Sequence, residues 1–169
     1  MKISALVLTR NEEEMIEDCL ISLEFADELL VVDTGNTDKT NEIAQSKEAK
    51  IITSSGIDYS NFRNDGLKAA TGDWVLYVDA DERVSPALRV EIQKLISGDS
   101  SVTAFHIPRK NIFLGKEMHY GGWGKDKVMR LFKKSALTRW ENALHERPII
   151  TGESGTLTNE LIHFSHRDL

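Results

Sequence analysis

Three carboxylates stand within four residues at Asp79-Ala80-Asp81-Glu82, directly after the apolar run Trp74 to Val78. Acidic groups this crowded repel one another and need a counter-charge. Hard divalent cations take carboxylate oxygens, and Mg²⁺ is commonly held by one or two carboxylates together with substrate phosphates. An Asp-x-Asp at this point therefore suits a handle for a metal-bound diphosphate. The competing reading is a solvated acidic turn that starts the next helix, and Glu82 is expected to face solvent or that helix. His163 and His166 are the other metal-competent pair. Three positions apart on a strand they would point to opposite faces, so at most one could join a metal site.

The elements that must position these groups follow from hydrophobic pattern. Trp74 to Val78 is unbroken, β-branched and aromatic, as in a strand buried on both faces of a parallel sheet, and ligands of open α/β sheets bind at the carboxyl ends of such strands. Upstream, Ile3–Leu8, Leu29–Val32 and Ala49–Thr53 predict three more strands. A helix is expected from about Glu12, with Asn11 as N-cap and Glu12, Glu13 and Glu14 at the positive end of its dipole. Ser60 opens another helix that Thr71-Gly72 closes, and Ser85-Pro86 starts a third with Pro at its first position. A further helix follows the turn Asp33 to Asp38. The alternation of strand and helix predicts an α/β fold: a mostly parallel central sheet with helices on both faces. Beyond Gly98 the texture changes. Val102–Pro108 and Val128–Phe132 suggest strands, separated by a glycine- and aromatic-rich excursion, and this half reads as strands and loops added to the same sheet.

Composition sets the bounds. A chain of 169 residues with 40% hydrophobic and 28% charged residues is an ordinary globular domain with room for a full core. One cysteine, Cys19, excludes a disulfide framework and favours a reducing cytoplasm. No 18-residue apolar run occurs, and the first strand is too short and wrongly flanked for a signal peptide. The net charge of −6 is divided: residues 1–102 carry −10 and residues 103–169 carry +4. A basic half opposite an acidic one suits an anionic substrate or an anionic membrane surface, although such a surplus is also an ordinary solvated face.

With the second strand ending in VVDTGNTDKT, the fourth in ATGDWVLYVDADERV, and the opening ISALVLTRNEEEMIEDCLISL, the chain resembles a family 2 glycosyltransferase of the GT-A fold. The likeness covers nearly the whole chain and is nearest to bacterial cell-envelope members of the lipopolysaccharide-core type, which continue past HFSHRDL with further helices. It implies a single domain, with residues 1–100 holding the nucleotide-sugar and residues 101–169 facing the acceptor. It places Thr9, Asn11 and Glu12 against the nucleotide, Asp33 on the base or ribose, and Arg63, with Asn64, on the helix facing the donor. Asp79 would reach the ribose or metal, and Asp81 would ligate the metal, Mg²⁺ or Mn²⁺, which a C-terminal histidine often completes. For each of these, capping, a plain turn or a surface ion pair is the structural alternative. Asn36 stands where the family more often has Ser.

The implied chemistry is inverting transfer from a nucleotide-diphosphate sugar to an acceptor hydroxyl, which needs a general base. The segment Trp140-Glu141-Asn142-Ala143-Leu144-His145-Glu146 resembles the family's acceptor-side His-Glu element. Glu146 is the candidate base, Asp126 the second and Glu141 the third, with a structural salt bridge as the alternative for Glu146. Trp123 with Gly121-Gly122 suits a loop stacking a sugar ring or, equally, a packed aromatic in a turn. Expected partners are the donor and a glycan or lipid-linked glycan acceptor, with no nucleic acid; the expected location is the cytoplasm, peripheral to the inner face of the membrane. A sugar nucleotidyltransferase is the enzymatic rival, but its glycine-rich basic signature is replaced here by acidic TRNEEE. A non-catalytic nucleotide-sugar-binding module is the other. A dinucleotide-binding domain is disfavoured because no Gly-x-Gly-x-x-Gly follows the first strand.

Overall fold

The computed structural model describes residues 1–119, 126–143 and 145–165. In chain order the elements are β1 (Ile3–Thr9), α1 (Ile16–Ser22), β2 (Glu28–Asp33), α2 (Thr40–Ser46), β3 (Lys50–Thr53), α3 (Tyr59–Ala69), β4 (Trp74–Asp79), β5 (Glu82–Val84) and α4 (Pro86–Ser97). There follow β6 (Val102–Phe113), β7 (Lys116–Glu117), β8 (Lys127–Lys133), β9 (Leu137–Glu141), β10 (Arg147–Ile150), β11 (Glu153–Thr156) and β12 (Leu161–Phe164). The main sheet runs β3-β2-β1-β4-β8-β6-β12-β5, with β7 and β11 also paired to β6. β1 to β4 are mutually parallel, whereas β8 is antiparallel to both β4 and β6. The predicted α/β sheet is therefore present, and strands from the basic half are hydrogen-bonded into it.

Alternation along the central strands sorts the core into two layers. Ala5 and Val7 of β1 and Leu76 and Val78 of β4 face Ile16, Cys19 and Leu20 of α1, Ala44 of α2, and Leu88 and Ile92 of α4. Leu6, Val75 and Tyr77 point the other way, onto Leu67 of α3 and the aromatic pair Phe132 and Trp140. Each large side chain buried in this way contributes about 1.5–3 kcal/mol by leaving water. Tyr77 meets Trp140 edge-on at 5.1 Å between centroids, and Trp140 meets Phe132 at 5.7 Å. This second layer ties β9 to α3.

Local details differ from the pattern-based expectation. α1 begins at Ile16, four residues after Glu12, and Asn11 is not its cap. Asn11 adopts a left-handed φ of 58°, a conformation Asn tolerates better than most residues. α3 is capped by Asp58, whose carboxylate accepts from the Asn61 N–H at 2.9 Å. Gly72 is not a left-handed helix terminator either: a Cβ there would lie 2.7 Å from the Ser4 backbone nitrogen, so close approach to β1 is what requires glycine. The cap at Ser85, with Pro86 at the first helical position, is as expected.

Candidate active site

The carboxyl ends of β1 and β4, the loop before α3 and the β9–β10 loop enclose a cavity of about 550 Å³, within the usual range for small-molecule sites. Its walls include Thr9, Glu12, Arg63, Asp79, Asp81 and Glu146. These come from both halves of the chain, and all were singled out in the sequence.

At the end of β4 only β1 still pairs, with Leu8 opposite Asp79, while β8 pairs only as far as Leu76, so Asp79 lies at the open edge of the strand ends before the chain turns into β5. Asp79 ion-pairs with Arg130 of β8 and, at 3.4 Å, with Arg63 of α3. Burial pushes its carboxyl up, but these two guanidiniums outweigh that and hold it down at about 2. The expectation that Glu82 faces solvent is wrong. Glu82 is fully buried, accepts the Asp79 N–H at 3.0 Å, and lies 3.3 Å from Arg109 and 3.7 Å from Arg130. Its burial raises its pKa. The acidic turn is thus organised by buried arginines, which weighs against a merely solvated turn.

Asp81 remains on the cavity side with 39% of its side chain exposed, and His163 Nε2 lies 3.3 Å from its Oδ2. The hydrogen bond to Asp81 raises the His163 pKa against the effect of burial. β12 lies between β5 and β6, pairing His163 with Glu82 on one side and Asn111 on the other. Glu12 shares the cavity; burial and then the charges of Asp81, Asp38 and Asp79 raise its carboxyl. One carboxylate oxygen and one imidazole nitrogen facing each other form a donor set fit for Mn²⁺ and, less well, for oxygen-preferring Mg²⁺. Among the described residues no group of three or more acidic, histidine or cysteine side chains is arranged to hold a metal alone. Asp81 and His163 would then hold the ion jointly with diphosphate oxygens. Asp79, committed to two arginines, would act one position removed from it. His166 lies outside the described residues.

Arg63 is the centre of the opposite wall. It is 4% exposed, stacks over Trp140 at 4.8 Å, and donates from Nε to Glu146 Oε1 at 3.0 Å. Its Nη1 is buried with no hydrogen-bond partner. Next to it, Asn64 exchanges two hydrogen bonds with the Trp140 backbone, at 2.9 and 2.8 Å. Asn64 therefore clamps α3 to β9 and does not line the cavity. That clamp delivers Glu146, because β9 and β10 form an antiparallel pair and residues 142–146 are their connection. Asn142 and His145 take left-handed φ values of 72° and 56°. His145 is exposed, so the His-Glu element turns only its glutamate inward. Arg147 points away and lies 3.7 Å from Glu141.

Other expected site residues serve the scaffold. Asp33 accepts from the Gly35 and Asn36 N–H groups at 2.8 and 2.7 Å and from Asn41 Nδ2 at 2.6 Å. These bonds lower its carboxyl despite burial, and the residue does not line the cavity. Asn11 accepts from the Thr37 N–H at 2.7 Å, while Asn36 donates to Thr9 Oγ1 at 2.8 Å. Asn11, Asp33 and Asn36 thus lock the β1 and β2 loops together beneath the site. Asp126 ion-pairs with Arg109 at 2.5 Å, and Glu141 with Arg139 and Arg147; neither lines the cavity. Trp123, Gly121 and Gly122 lie outside the described residues. Arg109, Asn111 and Arg130 were missed. Their signal was present: Arg109 and Asn111 share a face of β6 by period two, and Arg130 interrupts an otherwise apolar stretch of β8.

A mostly parallel sheet with its cavity at the strand ends, closed by an antiparallel strand beside β4, is the glycosyltransferase GT-A architecture. It superposes on residues 1–349 of S. aureus TarS in complex with UDP-GlcNAc (TM-score 0.68, 18% identity, covering 100% of this chain and 60% of that one). It also matches glucosyl-3-phosphoglycerate synthase from Mycobacterium tuberculosis in complex with Mg²⁺ and UDP (TM-score 0.63, 18% identity, 98% and 72% covered). Residues 4–152 match Glycosyl transferase family 2, and the chain belongs to that family. Relatives include an uncharacterised glycosyltransferase of Rickettsia typhi, 31% identical over 79% of this chain and 47% of the relative. Another is the lipopolysaccharide core biosynthesis glycosyltransferase LpsC of Rhizobium meliloti, 25% identical over 97% of this chain and 63% of the relative. A TPR repeat-containing protein of Synechococcus elongatus is 32% identical over 86% of the chain but only 35% of its own length. The chain thus spans about a third to two thirds of these relatives. Among the described residues no helix is long and apolar enough to cross a membrane.

Proposed function

We propose that the protein transfers a sugar, with inversion, from a nucleotide-diphosphate donor to a hydroxyl of a glycan or lipid-linked glycan acceptor. The observation that carries this reading is the convergence of Asp81, Asp79, Arg63 and Glu146 on one cavity at the strand ends. Asp81 and His163 would hold Mn²⁺ or Mg²⁺, which when bound neutralises charge on the departing diphosphate. Arg63 lines the cavity with a guanidinium, a group suited to phosphate oxygens. Thr9 and Glu12 line the nucleotide side. Glu146 takes the acceptor hydroxyl proton as the oxygen attacks the anomeric carbon. Asp126 is the alternative base; both carboxylates are paired with an arginine, and the position of Glu146 on the cavity, which Asp126 does not line, favours Glu146.

The likeness to LpsC supports a role in cell-envelope glycan synthesis, at the cytoplasmic side and peripheral to the inner face of the membrane. A thermal-shift screen of UDP-, GDP-, ADP- and dTDP-sugars with Mn²⁺ tests the donor class, since a ligand stabilises by its affinity for the folded state. One nucleotide series should raise the melting midpoint and do so only with metal. No shift with any of them would contradict the proposal.

A further inference from the structure

The buried polar groups behind Asp81 form a continuous chain that the transfer reaction itself does not use. His163 Nδ1 lies 2.7 Å from Asn111 Oδ1. Asn111 Nδ2 donates to Asp126 Oδ2 at 3.4 Å, and Asp126 is held by Arg109 at 2.5 Å. Arg109 continues to Glu82, then Arg130, then Asp79. Asn111 is 1% exposed, and the β6–β12 register fixes it beside His163.

We propose that Asn111 is a positioning residue for the divalent-cation site, selecting the His163 tautomer that offers a bare Nε2 to the ion at Asp81. The inference rests on the Asp81–His163 metal reading above and deepens it. The chemistry is directional. An amide oxygen can only accept, so the ring nitrogen it meets must carry the proton. With Nδ1 holding its own proton, the Nε2 proton that meets Asp81 at 3.3 Å is the one given up when an ion enters, which leaves the lone pair on Nε2. The other end of Asn111 is orientated the same way: its NH₂ faces the Asp126 carboxylate, which accepts and cannot donate. Asp126 therefore keeps the amide from flipping, and Arg109 keeps Asp126 in place. Residues that hold the second nitrogen of a ligating histidine set both its tautomer and its ring orientation. On this account Asp126, which sequence alone offers as a base, works two residues behind the ion.

The test measures Mn²⁺ directly. Asn111→Ala should weaken Mn²⁺ binding in the presence of UDP by about 10–100-fold, the usual cost of removing such a partner, as followed by the electron paramagnetic resonance of free Mn²⁺. Asn111→Asp, which keeps an acceptor, should recover most of the loss. Nitrogen NMR of the protein with Mg²⁺ and UDP should show His163 protonated at Nδ1 in the wild type and at a mixture of the two nitrogens in Asn111→Ala, a change that a purely structural role would not produce. Should Asn111→Ala be too unstable to measure, Asn111→Leu has a similar branched shape without the acceptor and carries the same expectation. Asp81→Asn and His163→Ala separate the two levels of the account. If both lose Mn²⁺ while Asn111→Ala binds it within twofold of wild type, the inference is overturned and the metal reading stands. If neither control changes Mn²⁺ affinity, the metal reading falls and this inference falls with it.

Discussion

Glu146 illustrates how a single side chain acquires a role from its neighbours. It is brought into the cavity by a loop with two left-handed residues and steadied by the Arg63 Nε–H. Replacing it with Gln keeps the volume and an oxygen that can still accept from Arg63, but removes the basicity. Glu146→Gln is therefore expected to cut turnover by about 10² or more while leaving donor affinity nearly unchanged. Asp126→Asn is the comparison, read at saturating Mn²⁺ so that its effect through Asn111 on the metal site is removed; a large loss of turnover there with none in Glu146→Gln would transfer the role to Asp126. At this scale the sequence was legible where a cluster of carboxylates directly follows an apolar strand, as at Asp79 and Asp81. Glu82 was not, because its counter-charges Arg109 and Arg130 lie on β6 and β8, far along the chain. The partners of Asp33 were not legible either: two N–H groups of its own turn and Asn41 of α2 donate to it, and the last contact depends on how α2 packs.

Among the elements, α3 decides how accurately the site is assembled. It carries Arg63, clamps β9 through Asn64, and packs on β1 and β2 through Gly66. A Cβ at Gly66 would meet Leu6 Cδ2 at 2.4 Å and Val32 Cγ2 at 3.0 Å. Both neighbours are fully buried, so neither can move away without disturbing the core. Gly66→Ala should thus destabilise the protein by about 1–3 kcal/mol, the usual cost of overpacking, despite the better helix propensity of Ala. Urea unfolding will check this; an unchanged midpoint would mean that α3 rides more loosely on the sheet than its contacts indicate. The strand-helix alternation that places α3 was evident from hydrophobic period alone. The start of α1 was misjudged because Asn11 followed by three glutamates has the composition of a helix N-terminus. Asn11 instead ties the β1 loop to the β2 loop, a contact only tertiary structure creates. The short strands β5, β7, β11 and β12 carry too few residues for a period to register.

The charge division of the whole molecule finds its physical expression in the sheet. Asp79 of β4 and Glu82 of β5 meet Arg130 of β8 and Arg109 of β6, and the two halves join along that seam. Away from it, Glu28 is held by neutral donors. Glu28 accepts from Ser4 Oγ at 2.5 Å and from the Thr71 N–H at 2.9 Å, joining β1, β2 and the start of β4. Although burial pushes Glu28 up, these bonds lower its pKa below the ordinary 4.5; Glu91 and Asp65 are lowered as well. A folded-state pKa below the unfolded one means that the stabilisation is present above the unfolded value and is lost as pH falls through the folded one. The urea midpoint should accordingly fall as pH drops below about 5, and Glu28→Gln should flatten that decline. An equally steep decline in the variant would show that Glu28 contributes nothing to the acid limb.

If Asp81 holds the donor's metal-bound diphosphate, calorimetry of UDP or GDP with Mn²⁺ will register the loss of that hold when its charge is removed. Asp81 is partly exposed, and its Oδ2 faces His163 at 3.3 Å, so Asp81→Asn removes a charge without opening a void in the core. The variant should fold normally and lose the metal-dependent part of nucleotide binding. Nucleotide affinity and metal dependence equal to those of the wild type would contradict the account.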